Sequence, residues 1–298
     1  MPAMSATAGG NQPESVVAGL ITMLLAAGLA LVAAGYGRGV HELWSRRGRG
    51  NVLPGWRVVA FTAGLLVALA TQSGPVAALA VRGFAGHMTQ HMLLLLVAGP
   101  LLAAGAAGLP LTLACPATPR RWLARLRATA AVRWLRRPVV IALVAGGTQT
   151  LVLWFWHLPA PYLAAVRHPA LHVVEHVCFV GAAWLLWAPV LGAARHRLPV
   201  PTGMLLLVGT MLPASALGAV LTFAPRPIYP AEVLGADPLA DQQLAGLLMW
   251  APMDVVVLVA TLAAFLRWLV GLQRQRPERV TSPEVDGHLP ARTGGVGR

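Results

Sequence analysis

Six histidines carry the chemistry that this sequence offers. His87 and His91 stand four apart in "GHMTQHM", His172 and His176 stand four apart in "HPALHVVEHVC", and His157 and His168 lie between the two pairs. Residues i and i+4 share one face of a helix, about 6 Å apart along its axis. Each pair therefore offers two imidazoles on one face. Neutral imidazole is a ligand for Zn, Cu, Fe and Ni, and a neighbouring thioether or thiolate shifts the preference toward Cu(I). Soft donors are near: Met88, Cys178, and Met249 with Met253 four residues later. Two acids stand out. Glu175 adjoins His176 and is placed to orient an imidazole from behind, as metal-bound histidines commonly require. Asp254 falls midway along an apolar run, where a carboxylate is costly unless paired and is a functional candidate. For each His or Met taken alone, an amphipathic interfacial residue or core filler is the plainer reading; two H-x-x-x-H pairs at matched depth are harder to explain that way.

The elements that must position these side chains are membrane helices. The chain has 298 residues, is 57% hydrophobic and only 11% charged, and has a mean hydropathy of +0.66; a soluble domain carries about 25% charged residues. A span needs about 20 mostly apolar residues. Seven such runs occur, at 16–36, 56–72, 88–112, 139–157, 171–191, 202–222 and 243–266. The expected architecture is all-α, with a short segment 1–15, a seven-helix membrane domain over 16–270, and a disordered tail over 271–298, rich in Arg, Pro and Gly. The second run is short and ends at "QSGP", and Gly99–Pro100 should kink the third.

All 23 basic residues are arginines, and they alternate between connections. Twenty fall on one side and three, Arg82, Arg167 and Arg226, on the other. By the positive-inside rule this places the N-terminus outside and the C-terminus in the cytoplasm. A net charge of +13 and a pI near 11.6 then reflect topology rather than a nucleic-acid partner. No basic region precedes the first run, so it does not read as a signal peptide. In this topology all six histidines lie at the outer ends of the third, fourth and fifth spans. His168 precedes Pro169, which pushes it out of helical geometry, so it should be peripheral. The two cysteines, Cys115 and Cys178, fall on opposite sides, which argues against a disulfide. The outer loop holding Glu232, Asp237 and Asp241 could form an acidic rim.

Four stretches occur in order: "HMTQHMLLLLVAGPLL", "LWFWHLPAPYLAAVRHPALHVVEHVCFVGAAWLLW", "ASALGAVLTFAPRPIYP" and "DQQLAGLLMWAPMD". Together they resemble the polytopic CtaG family, bacterial membrane proteins associated with assembly of caa-type cytochrome c oxidases. This is distinct from the single-span copper chaperone of the same name. The resemblance runs from about residue 16 to 270. The chain departs from the family pattern at Ala188, where an aromatic precedes the proline, and at Met253, where a glycine follows it. In this family outer-face histidines are associated with copper, and some members are fused to copper-resistance-type membrane domains. The resemblance thus implies copper ligation by His87, His91, His157, His172 and His176, with His168 matching less closely. It also implies cytochrome c oxidase subunits and membrane lipid as partners, a multi-pass location in the bacterial plasma membrane, and no catalytic turnover. No nucleophile elbow, P-loop or dinucleotide motif is present.

Two other readings stay open from the residues alone. A b-type haem near the outer face would need axial histidines from facing helices. A copper or proton-coupled transporter would use Asp254 as a relay. A shared copper site requires the two pairs to face each other with ring nitrogens within about 4 Å, given metal–nitrogen bonds near 2 Å. Asp254 should meet Thr210, Ser215 or Gln149.

Overall fold

In a computed structural model of the chain, residues 12–194 and 197–275 are described. The proposed tail is therefore outside the described residues beyond Gln275, as is most of the segment 1–15. The described elements are helical. They are α1 (Gln12–Arg47), α2 (Gly55–Ala70), α3 (Gly74–Ala80), α4 (Phe84–Leu93), α5 (Gly99–Ala104), α6 (Gly108–Ala114), α7 (Ala117–Arg127), α8 (Ala130–Leu135), α9 (Pro138–Trp156), α10 (Pro159–Arg167), α11 (Pro169–Leu191), α12 (Val200–Phe223) and α13 (Pro238–Gln275). Six helices are long and apolar enough to cross a membrane, and a seventh span results if α2 and α3, bent by 47° at the break between them, count as one. Large apolar side chains such as Leu24, Leu143, Leu151, Leu205 and Leu258 remain exposed on these helices, as a lipid-facing surface requires.

The third span begins earlier than the apolar run indicates. Its helix starts at Phe84, and His87 and His91 both lie within it, as their spacing indicates. The start is fixed from a distance: the Asp241 carboxylate, at the head of α13, accepts hydrogen bonds from the backbone N–H groups of Phe84 (2.7 Å) and Ala85 (3.1 Å). These are among the donors that the first turn of a helix cannot satisfy internally. Asp241 thus serves as a cap rather than as part of an acidic rim.

The expected kink at Gly99–Pro100 is taken up differently. Pro100 lacks an N–H and obstructs the carbonyl one turn earlier, and the chain widens into a π-helical turn over Leu94–Ala98 before α5 continues the span. At Gly99 a β-carbon would lie 2.4 Å from the Ala183 Cβ on α11. Only glycine allows this approach, and it locks the third span against α11 at mid-length. The main core lies among α4, α9, α11, α12 and α13. A smaller core joins α1, α2, α5 and α6 around Tyr36 and Phe61, whose rings stack at 4.0 Å. Along α12 and α13, Gly218 and Gly246 bring the backbones into contact, and a β-carbon on Gly218 would lie 3.0 Å from the Gly246 carbonyl oxygen.

Candidate metal centre

The close packing of the third span against α11 sets the two H-x-x-x-H faces against each other. Within each pair the ring centroids are 4.5 Å (His87–His91) and 4.1 Å (His172–His176) apart. Across the helices, His87 meets His172 at 5.0 Å and His91 meets His176 at 5.4 Å. The four rings form a quadrilateral at one end of the bundle. Glu175 enters it directly: its carboxylate oxygens lie 3.6 Å from His91 Nε2 and 4.0 Å from His87 Nε2. Donor atoms of His87, His91, His172, Glu175 and His176 all fall within 4.8 Å of one another.

These groups lack partners. Both ring nitrogens of His91, Nε2 of His87, His172 and His176, and both Glu175 oxygens are buried without a hydrogen bond. An unsatisfied buried polar atom costs about 1–3 kcal/mol, and a buried unpaired carboxylate costs more. A cation in their midst could take one donor atom from each of the five residues. Borderline imidazole nitrogens with one carboxylate oxygen suit Cu, Zn or Fe, so the donor set fits the metal that the resemblance implies. Two donors on opposite sides of one ion lie about 4.2 Å apart. The observed 4.8 Å spread is wider than the sequence-based limit, so three or four donors can share an ion after a shift of a few tenths of an ångström.

The remaining candidates divide. His157 ends α9 beside the nest, its ring 5.8 Å from that of His91, but it is not among the five converging donors. Its Nε2 lies 3.2 Å from Met88 Sδ. His168 is the exposed N-cap of α11, with φ −122° and ψ 106°, held outside the helix by Pro169. Met249 and Met253 are buried in the main core, and Cys178 packs against it and is not among the five converging donors. Asp254 is half-buried and accepts a hydrogen bond of 2.6 Å from Ser215 Oγ, which ties α12 to α13 away from the histidines.

Glu175, named from its place beside His176, stands i+3 from His172 and shares its face, and its oxygens lie among the converging donor atoms. Two residues near the cluster carry no mark in the sequence. Gln72, in the break between α2 and α3, brings its side-chain amide within 2.7 Å of His176 Nδ1. Gln90 binds the Thr71 carbonyl. Nothing local marks these two glutamines. Gln72, Gln90, His87 and His172 line a cavity of about 460 Å³, together with Arg82, Tyr162 and apolar residues such as Ile21 and Val173, so the nest adjoins an open space of mixed polarity. The cavity's rim carries Glu232, which forms an ion pair with Arg167. Tyr162 and Tyr229 wall the site with Phe84, and burial pushes both hydroxyls above the ordinary tyrosine range. The Tyr229 hydroxyl donates to the His157 carbonyl.

The family of cytochrome c oxidase caa3 assembly factors (Caa3_CtaG) matches residues 34–270, which takes in every helix that builds this centre. The chain belongs to that family. It is also 26% identical over 290 residues to uncharacterized proteins of Mycobacterium bovis and Mycobacterium tuberculosis, covering 90% of this chain and 40% of each relative. An uncharacterized protein of Mycobacterium leprae is 25% identical over 264 residues, covering 82% of this chain and 38% of the relative. The chain thus spans about two fifths of the length of these curated relatives. No solved structure matches it.

Proposed function

We propose that this assembly factor holds copper in the nest of His87, His91, His172, His176 and Glu175 and supplies it to, or keeps it ready for, a maturing cytochrome c oxidase subunit. The observation that carries this reading is the convergence of five buried donors whose polar atoms lack partners. The arginine distribution favours an extracytoplasmic position for that end, in the plasma membrane. The open cavity beside His87 and His172 supports an exchangeable ion, since a delivered metal needs a route in and out. When bound, copper would serve as cargo, and the role is non-catalytic. The haem alternative fits less well. A macrocycle needs a slot between facing helices, and the rings of His87 and His172 already lie at 5.0 Å.

The test is a strain whose only copy carries His87→Ala and His172→Ala, grown at limiting copper. Its caa3-type oxidase activity and the copper content of the purified oxidase should fall, and excess copper should restore both. Full activity at limiting copper would refute the reading.

A further inference from the structure

His157 and Met88 lie beside the nest and outside it. His157 Nδ1 is 2.6 Å from the Leu153 carbonyl oxygen. A carbonyl only accepts, so Nδ1 carries the proton. In the neutral ring Nε2 then presents a lone pair. That lone pair faces Met88 Sδ at 3.2 Å, and a thioether also has only lone pairs to offer. Both side chains are enclosed: Met88 is 0% exposed and His157 3%. Two acceptors thus meet in an enclosed space with no hydrogen between them.

We propose that His157 Nε2 and Met88 Sδ form a second metal station, suited to a soft monovalent cation such as Cu(I) and adjoining the nest through His91. Thioether beside imidazole is a donor set that selects Cu(I) over harder ions. With metal–nitrogen and metal–sulfur bonds of about 2.0 and 2.3 Å, a nitrogen–sulfur separation of 3.2 Å places both donors on one ion at an angle of about 95°. That angle leaves space for a third ligand. His91 fits: its ring is 5.8 Å from that of His157, and its Nδ1 is buried and unpartnered. His91 would then stand between a nitrogen- and oxygen-rich nest and a sulfur-containing station. The inference deepens the copper reading and rests on it only for this shared ligand.

The experiment titrates purified full-length protein with two probes, Ag(I) for the soft station and Zn(II) for the nest, in a Cys115→Ser/Cys178→Ser background that removes competing thiols. One Ag(I) should bind with sulfur and nitrogen neighbours in its X-ray absorption spectrum. Met88→Leu should weaken Ag(I) binding at least tenfold and remove the sulfur signal, while Zn(II) binding is unchanged. His87→Ala/His172→Ala should do the reverse. Loss of Zn(II) binding in the unsubstituted protein with Ag(I) retained would sink the nest and spare the station. Unchanged Ag(I) affinity in Met88→Leu, or a wild-type shell without sulfur, overturns the station. If Met88→Leu loses the helical fold, selenomethionine labelling of the intact chain decides: a selenium neighbour to Ag(I) supports the station, and its absence overturns it.

Discussion

The third span and α11 meet at both of their ends, and the two junctions are built on opposite terms. At one end Arg57 of α2 reaches between them. Its guanidinium donates to the carbonyl oxygens of Ala104 (2.6 Å), Leu191 (3.5 Å) and Gly192 (3.2 Å). Arg197 also donates to Gly192, and the Tyr36 hydroxyl donates to Gly105. These carbonyls terminate α5 and α11, where a helix leaves acceptors free and carries partial negative charge. The junction is closed by groups the chain itself provides. At the other end the same two helices bring together four imidazoles and a carboxylate, and their polar atoms face one another unpartnered. The first junction is complete in itself, and the second keeps seven polar atoms without a hydrogen-bond partner.

This contrast yields predictions of opposite sign at the two ends. Replacing His87 and His172 by Ala should weaken metal binding at least a hundredfold, with the helical circular dichroism retained; Arg57→Met should leave the affinity within a factor of two. Glu175→Gln removes the one carboxylate among the five donors and leaves a weaker ligand, so metal affinity should drop at least tenfold and metal-induced stabilisation should shrink accordingly; unchanged affinity would exclude Glu175 as a ligand.

Acid should act on the histidine junction alone. Metal binds neutral imidazole, so protons compete with it. Occupancy should therefore fall as the solution is made acid; occupancy independent of acid throughout the range in which the helical fold survives would remove the histidines as ligands. Arg57→Met should lower stability by about 1–3 kcal/mol, the range for buried acceptors losing their donors, read from thermal melts in detergent. The smallest effect belongs to the pair that joins α12 and α13. Ser215→Ala should cost about 1 kcal/mol without altering metal binding, and a change in metal affinity there would connect Asp254 to the site.

The helix pattern was legible because a bilayer demands long apolar runs, and the i+4 spacing of the histidines announced two shared faces. That the faces meet was not in the local pattern. It depends on Gly99 letting the third span approach Ala183, and on the π-helical turn that absorbs Pro100. The start of α4 was misplaced because its cap, Asp241, comes from 157 residues along the chain. Glu175 was legible beside His176, and its i+3 relation to His172 puts it on the same face. Gln72 was not: it reaches His176 only because α2 breaks at Thr71–Ser73 and turns by 47°. Met88 was legible as a soft donor beside the first pair, but its contact with His157 Nε2 at 3.2 Å was not, because it depends on how α9 ends against α4.

The central claim is that the five converging donors bind one metal ion. The copper X-ray absorption spectrum of detergent-purified protein, loaded with one equivalent and dialysed against a weak chelator, tests it most directly. The account predicts retained copper with several imidazole nitrogens at about 2.0 Å and their characteristic outer-ring scattering. Copper lost on dialysis, or a first shell without imidazole, would contradict it.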